Sequence, residues 1–316
     1  MLTDLVFGIL FLIQLGVGIL GNLFLLGPYT FTLLIGQSLR PIECIFAHLA
    51  LANSEVLLSK GIPLTIVCFG IKNFLDDVGC KFICYLYNVA RSVSLSITCI
   101  LSAFQVITIS NFRWAEVKTK VPNYIAPSCF LCWCFYLLIH LGLVGTMHNA
   151  EHMINNSKIW NLGYCSILTP ASLNAAVFAT VYSIPDIVCV GFMIWASAYL
   201  VFLLHRHHQQ MKYIHSSHLS PKTFPETKAT HAILLLVSTY VFFYSINSSL
   251  SLYIFKTDKP LHSLMATSNF LAALFPTISP FVLIFSDSKV LKYWYVLWPR
   301  RCFCILCKNV PKPYPF

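Results

Sequence analysis

Two opposite charges stand inside long apolar stretches of this chain, Arg91 and Asp186. A charge near the middle of a bilayer costs a few kcal/mol or more, so each needs a partner or a use. Arg91 lies eleven residues beyond Cys80, about 16 Å along a helix at about 1.5 Å per residue. Asp186 lies about eleven residues into its own apolar stretch. At comparable depth the two either form a structural ion pair or bracket a ligand. Laid on a helix at about 100° per residue, Cys80, Cys84, Tyr87, Arg91, Ser94, Thr98, Ser102 and Gln105 share one line within roughly 40°. Opposite them stand Phe82, Leu86, Val89, Val93, Ile97, Ile100, Phe104 and Ile107. A polar seam on an otherwise apolar helix suits the centre of a bundle, where it lines a cavity. A small molecule in that cavity would touch Tyr87, Arg91 and Ser94 and face Asp186 and Tyr244.

Other reactive residues carry less. There is no phosphate loop, dinucleotide fingerprint, nucleophile elbow or His-Glu-x-x-His helix, so neither an enzyme nor a cofactor is expected. His205, His207, His208, His215 and His218 cluster in a basic stretch without paired cysteines or acids, which suits a solvated interaction loop better than a metal site. Cys129, Cys132 and Cys134 fall within an apolar run, as buried structural cysteines do. Cys302, Cys304 and Cys307 follow Arg300 and Arg301, a setting that suits palmitoylation.

The elements that must position the two charges are membrane spans. The chain has 316 residues, 57% hydrophobic and only 10% charged, where a soluble domain averages about a quarter charged. Seven apolar segments are long enough to cross a bilayer: Leu5–Ile35, Cys44–Phe69, Phe82–Ile109, Ile125–Met147, Ala175–Leu204, Ala229–Phe255 and Leu261–Phe285. The first exceeds the length of a signal-peptide core and is expected to act as an uncleaved anchor. The expected fold is an all-α membrane protein, a seven-helix bundle over residues 1–300, with a short basic, cysteine-containing tail over 301–316.

Lysine and arginine set the orientation. Arg40, Arg113, Lys118, Lys120, Arg206, Lys212, Lys222, Lys228 and six tail residues make fourteen on one side, against five on the other (Lys72, Lys81, Lys158, Lys256, Lys259). The richer side is expected in the cytoplasm, which puts the N-terminus outside and the C-terminus inside. The net charge of +10 is spread between apolar runs, which argues against a nucleic-acid partner and allows anionic membrane lipid as one. Cys80 and Cys165 are the only cysteines expected at the outer surface. They remain either free thiols or a disulfide pinning the second outer loop to the third helix, and an oxidising compartment favours the bridge. Asn155-Asn156-Ser157 is a glycosylation sequon in the same loop.

Gly21-Asn22, the LALAN run ending at Asn53, Cys80, Trp133, Cys165 and Pro280 resemble the rhodopsin-like G-protein-coupled receptors. The departures are specific. Asn53 stands where those receptors usually carry aspartate, which puts their sodium site in doubt. Phe104-Gln105-Val106 aligns with their Asp-Arg-Tyr, so the arginine latch cannot form. Ser279-Pro280-Phe281-Val282-Leu283 replaces Asn-Pro-x-x-Tyr, and the sixth helix lacks its usual proline. Those departures, with HLALAN (48–53), SITCILSAFQVITIS (96–110), GYCS (163–166), HRHHQQ (205–210), LLVSTYVFFYSI (235–246) and FPTISPFVLI (275–284), resemble the vomeronasal type-1 receptors over about residues 1–300. The resemblance implies a plasma-membrane receptor for small pheromone-like molecules that activates a heterotrimeric G protein of the inhibitory class. Gln105, Arg113 and Arg206 would then face the G protein. A bitter-taste-like receptor would not be expected to carry the Cys80–Cys165 pair. A transporter or channel would show repeat symmetry, and none is visible. A non-signalling receptor copy is opposed by the unbroken frame and the intact cysteine pair.

Overall fold

The computed structural model describes residues 2–71, 74–109, 115–144, 147–148, 158–161, 164–169, 174–214, 225–257, 262–287 and 290–294. Among these described residues, seven helices are long and apolar enough to cross a membrane. They are the first (Leu2–Leu34), the second (Pro41–Val56, continued through a π turn at Leu57–Gly61 into Ile62–Cys68), the third (Asp77–Ile109), the fourth (Ala115–Ile139), the fifth (Asn174–Ile214), the sixth (Pro225–Lys256) and the seventh (His262–Ser286). Their outward side chains are apolar, with Phe130, Leu138, Ile187, Trp195, Phe242 and Phe285 each at least half exposed. That is the surface a bilayer solvates, since lipid rather than water meets it.

The third helix is central. It packs on the second, fourth, fifth and sixth. Both its faces are covered at mid-length: Ser94 and Thr98 of the seam are buried, and so are Val89, Val93 and Ile97 opposite, each at 0% exposure. Polar contacts to the fourth helix and its end add to the packing. Tyr85 donates to the carbonyl of Leu137 at 2.7 Å, Ser96 meets the Tyr136 hydroxyl at 2.8 Å, and Ser92 meets His140 Nε2 at 3.1 Å.

Proline chemistry joins the first and seventh helices. Pro280 has no N–H, so the carbonyl of Pro276 one turn earlier loses its helical donor. Asn22 Nδ2 supplies one, donating to Pro276 O at 3.0 Å. The approach requires a glycine nearby, because a Cβ on Gly21 would sit 3.0 Å from Pro280 Cγ. At the bundle end opposite the Cys80–Cys165 pair, Tyr29 donates to Asp287 Oδ2 at 2.9 Å, and Arg40 lies 3.8 Å from Asp287 and 2.7 Å from Glu43.

Two boundaries differ from the sequence reading. The fourth helix begins ten residues before Ile125 and ends at Ile139, because its polar first turns and its two prolines, Pro122 and Pro127, still fit a helix. Met147 belongs instead to a short strand. Three strands, β1 (Met147–His148), β2 (Lys158–Asn161) and β3 (Ser166–Thr169), form an antiparallel sheet in the order β1-β3-β2, with Met147 opposite Ile167 and Lys158 opposite Thr169. Hydropathy hid this sheet because its strands are only two to four residues long. The fifth helix also continues to Ile214, so His205–His208 extend a helix instead of opening a loop.

Candidate ligand site

Arg91 and Asp186 meet. Arg91 Nη2 lies 2.5 Å from Asp186 Oδ2 across the third and fifth helices. The Tyr244 hydroxyl of the sixth helix donates to the same oxygen at 3.3 Å, and its ring lies 5.9 Å from the guanidinium carbon. Tyr240 stacks on Tyr244 at 6.1 Å and meets Phe275 edge-on at 4.4 Å. Asp186 is 2% exposed, and its Oδ1 has no hydrogen-bond partner among the described residues. Pro185 precedes it inside the helix.

A cavity of about 40 Å³ lies beside this pair, lined by Val56, Arg91, Ser94, Tyr240, Phe243, Tyr244, Asn247, Leu271, Ala272, Phe275 and Pro276. At about 10–15 Å³ per water it has room for about three. Of the five ligand-facing residues expected from sequence, Arg91, Ser94 and Tyr244 line it, and Asp186 binds two of its walls. Tyr87 does not line it. Its hydroxyl instead accepts from Lys60 Nζ at 3.1 Å. The π turn adds a residue to the second helix at Leu57–Gly61 and so rotates the side chains beyond it, with Lys60 buried there at 7% exposure. Lys60 therefore pairs with the third helix.

Below the pair, Ser94 Oγ donates to Asn53 Oδ1 at 2.6 Å, and Asn53 Nδ2 donates to Ser279 Oγ at 2.8 Å. This neutral relay joins the second, third and seventh helices, with all three residues at 2% exposure or less. Asn53→Ala should destabilise the receptor by about 1–3 kcal/mol, since it strands two buried hydroxyls. A thermal melt of the purified protein checks this, and an unchanged midpoint would show the relay to be dispensable. Sequence reasoning singled out Asn53 and Ser279 separately, but nothing in either motif says that they meet.

At the far end of the seam, the structure joins Cys80 to Cys165 with their Cα atoms 5.8 Å apart. The buried thiol of Cys84 lies with its sulfur within 4.8 Å of both. Tyr164 contacts Cys84, and burial pushes its phenol well above the ordinary range, so it stays protonated. Phe11 and Leu64 pack around this group.

The remaining expected positions separate. Gln105 is only 6% exposed. It continues the polar seam of the third helix into the bundle. Arg206 is exposed. Arg113, Asn155, His215, His218 and the tail cysteines lie outside the described residues, as do the side chains of His207 and His208. Trp133 Nε1 donates to His48 Nδ1 at 3.2 Å, tying the fourth helix to the second.

A family model described as the vomeronasal organ pheromone receptor family matches residues 5–296. Vomeronasal type-1 receptor 1 of Gorilla gorilla gorilla is 42% identical over 296 residues, covering 93% of this chain and 84% of the relative. Vomeronasal type-1 receptor 3 of Homo sapiens is 40% identical over 290 residues, covering 91% and 93%. Olfactory receptor class A-like protein 1 of Danio rerio is 31% identical over 286 residues, covering 90% of each.

Proposed function

The chain belongs to the vomeronasal organ pheromone receptor family, and from that premise we propose that it detects a small pheromone-like molecule in the cavity beside Arg91 and Asp186 and activates an inhibitory-class G protein. It is a multi-pass chemosensory G-protein-coupled receptor and not an enzyme. The observation that carries the proposal is the Arg91–Asp186–Tyr244 cluster, a buried carboxylate held by two partly exposed partners, which ties the third, fifth and sixth helices together at a cavity wall. A ligand shifts a receptor only by its difference in affinity between two states. A pheromone-like molecule is larger than this cavity of about 40 Å³, so binding must move Arg91, Tyr240 and Tyr244 apart and change the contacts between their helices, and that gives it such a difference. The prolines of the fifth and seventh helices mark where backbone hydrogen bonding is already interrupted, and interrupted helices rearrange most readily.

The bundle end carrying the disulfide faces outward in this reading, as the lysine and arginine count requires. The opposite end, with exposed Arg206, meets the G protein and anionic lipid. Residues 1–300 act as the receptor domain and 301–316 as a cytoplasmic tail, and Asn155 carries a glycan. Two measurements test this together. Cells expressing the chain and exposed to candidate volatiles and steroids should show intracellular calcium responses that untransfected cells lack. Purified receptor with agonist should accelerate nucleotide exchange on inhibitory-class heterotrimers. Ion or solute flux in liposomes without any exchange would contradict the receptor reading.

A further inference from the structure

The disulfide end of the bundle holds one sulfur more than its bond uses. Cys80, Cys84 and Cys165 have their sulfurs within 4.8 Å of one another, and all three residues are buried at 1% exposure or less. Cys80 and Cys84 stand four residues apart on the third helix, so they share one face, a turn apart. Cys84 is a free thiol. The loop already holds it without a covalent bond: Tyr164, the residue before Cys165, donates its hydroxyl hydrogen to the Cys84 sulfur. Phe11 and Leu64 pack against the same cluster and shield it from dissolved thiols. The disulfide beside it is therefore the exchange partner within reach of Cys84.

The exchange balances without an outside oxidant or reductant. Deprotonated Cys84 Sγ attacks Cys165 Sγ. The Cys84–Cys165 bond forms, the Cys80–Cys165 bond breaks, and the electron pair leaves on Cys80 Sγ, which takes up the proton that Cys84 lost. Chain entropy does not separate the two pairings. The loop closed by Cys84 is only four residues shorter than the one closed by Cys80, and the entropy of closure follows the logarithm of loop length. We propose that Cys84 is a second docking point for Cys165, so that the segment carrying β3 is pinned to the third helix at either of two positions one turn apart. Moving from Cys80 to Cys84 carries the anchor about 6 Å along the helix, at about 1.5 Å per residue, toward Tyr87 and the Arg91–Asp186 pair. β3 begins at Ser166, next to Cys165, so the sheet follows the anchor.

Peptide mapping reads the pairing directly. Lys81 lies between the two cysteines, so trypsin, cutting after it, puts Cys80 and Cys84 on separate peptides, 73–81 and 82–91. Full-length receptor purified without reductant is quenched in acid, which stops exchange by protonating thiolates, then denatured, alkylated with a maleimide and digested. In the wild type the Cys165 peptide is expected joined mainly to 73–81, and to 82–91 in about 1–10% of chains, the usual range for a minor state, with the same fraction of Cys80 alkylated. In Cys84→Ser, which has no second thiol, alkylation of Cys80 should fall to background. In Cys80→Ser the bridge to 82–91 should become the main form. A wild type without any 82–91 bridge, Cys80 alkylation as high in Cys84→Ser as in the wild type, or a Cys80→Ser receptor whose Cys165 is alkylated as a free thiol would each overturn the proposal. If Cys80→Ser fails to fold, the comparison of the wild type with Cys84→Ser decides alone.

Discussion

Replacing Asp186 with alanine is expected to remove most of the receptor from the cell surface. The substitution leaves the Arg91 guanidinium inside the bundle with no carboxylate. Breaking one half of a fully buried ion pair typically costs about 3–5 kcal/mol; the Arg91 side chain keeps 34% of its surface exposed, so screening brings the cost down to about 2–3 kcal/mol, still a large share of a total stability of about 5–15 kcal/mol for a folded domain. The Tyr244 hydroxyl loses its acceptor as well. Removing both charges has a different outcome, since exchanging a buried pair for apolar residues is often neutral or stabilising. Arg91→Met/Asp186→Leu should therefore reach the surface at close to the wild-type level. Flow cytometry on an N-terminal epitope in unpermeabilised cells measures both. Normal surface density for Asp186→Ala would mean that the pair contributes little to the fold.

Cys165→Ala should have a comparable effect. The bond joins positions 85 residues apart, and closing a loop of that length in the unfolded chain is worth about 4–5 kcal/mol in the chain-entropy model. It also ties the three-stranded sheet, through Cys165 next to β3, to the first turn of the third helix. Cys165 is the cleaner of the two positions to replace. Removing Cys80 instead leaves Cys84 as a second thiol near Cys165, so Cys80→Ala should be the milder variant. Surface density and maturation of the Cys165→Ala receptor, compared with Cys80→Ala and the wild type, check this. Normal trafficking of Cys165→Ala would mean that the fold does not depend on the disulfide.

The helices were legible because a membrane span needs a long apolar run, and seven such runs stand in the chain. The meeting of Arg91 with Asp186 was also within reach. Depth in a bilayer can be counted along a helix, and two opposite intramembrane charges at similar depth have few other partners. The destination of Tyr87 was not legible. It depends on a π turn at Leu57–Gly61, and no residue in LLSKG announces one. Tyr240 and Asn247 were visible as polar residues of the sixth helix, but which of them faces the cavity depends on how that helix is rotated against the seventh. The fourth helix was misplaced because hydropathy finds the apolar part of a helix and misses polar turns that extend it. Gln105 marked the family correctly while its side chain turned inward, since a seam residue follows the helix axis into the bundle.

At the end opposite the disulfide, Arg40 lies against Glu43 and Asp287, and Tyr29 holds Asp287 from the first helix. Glu43 and Asp287 are only 3% and 8% exposed. These contacts join the first, second and seventh helices without the arginine that rhodopsin-like receptors carry at the foot of the third. They were not anticipated from sequence, where Arg40 counted only as a loop charge.

The proposed mechanism needs the Arg91–Asp186 pair to be a wall of the ligand site and more than a brace. The deciding measurement is the agonist dose–response of Arg91→Met/Asp186→Leu at a surface density matched to wild type. Loss of the response, or a rightward shift of about tenfold or more, the loss of at least one polar contact, is the expected result. A curve superimposable on that of the wild type would contradict the mechanism and leave the pair a structural element alone.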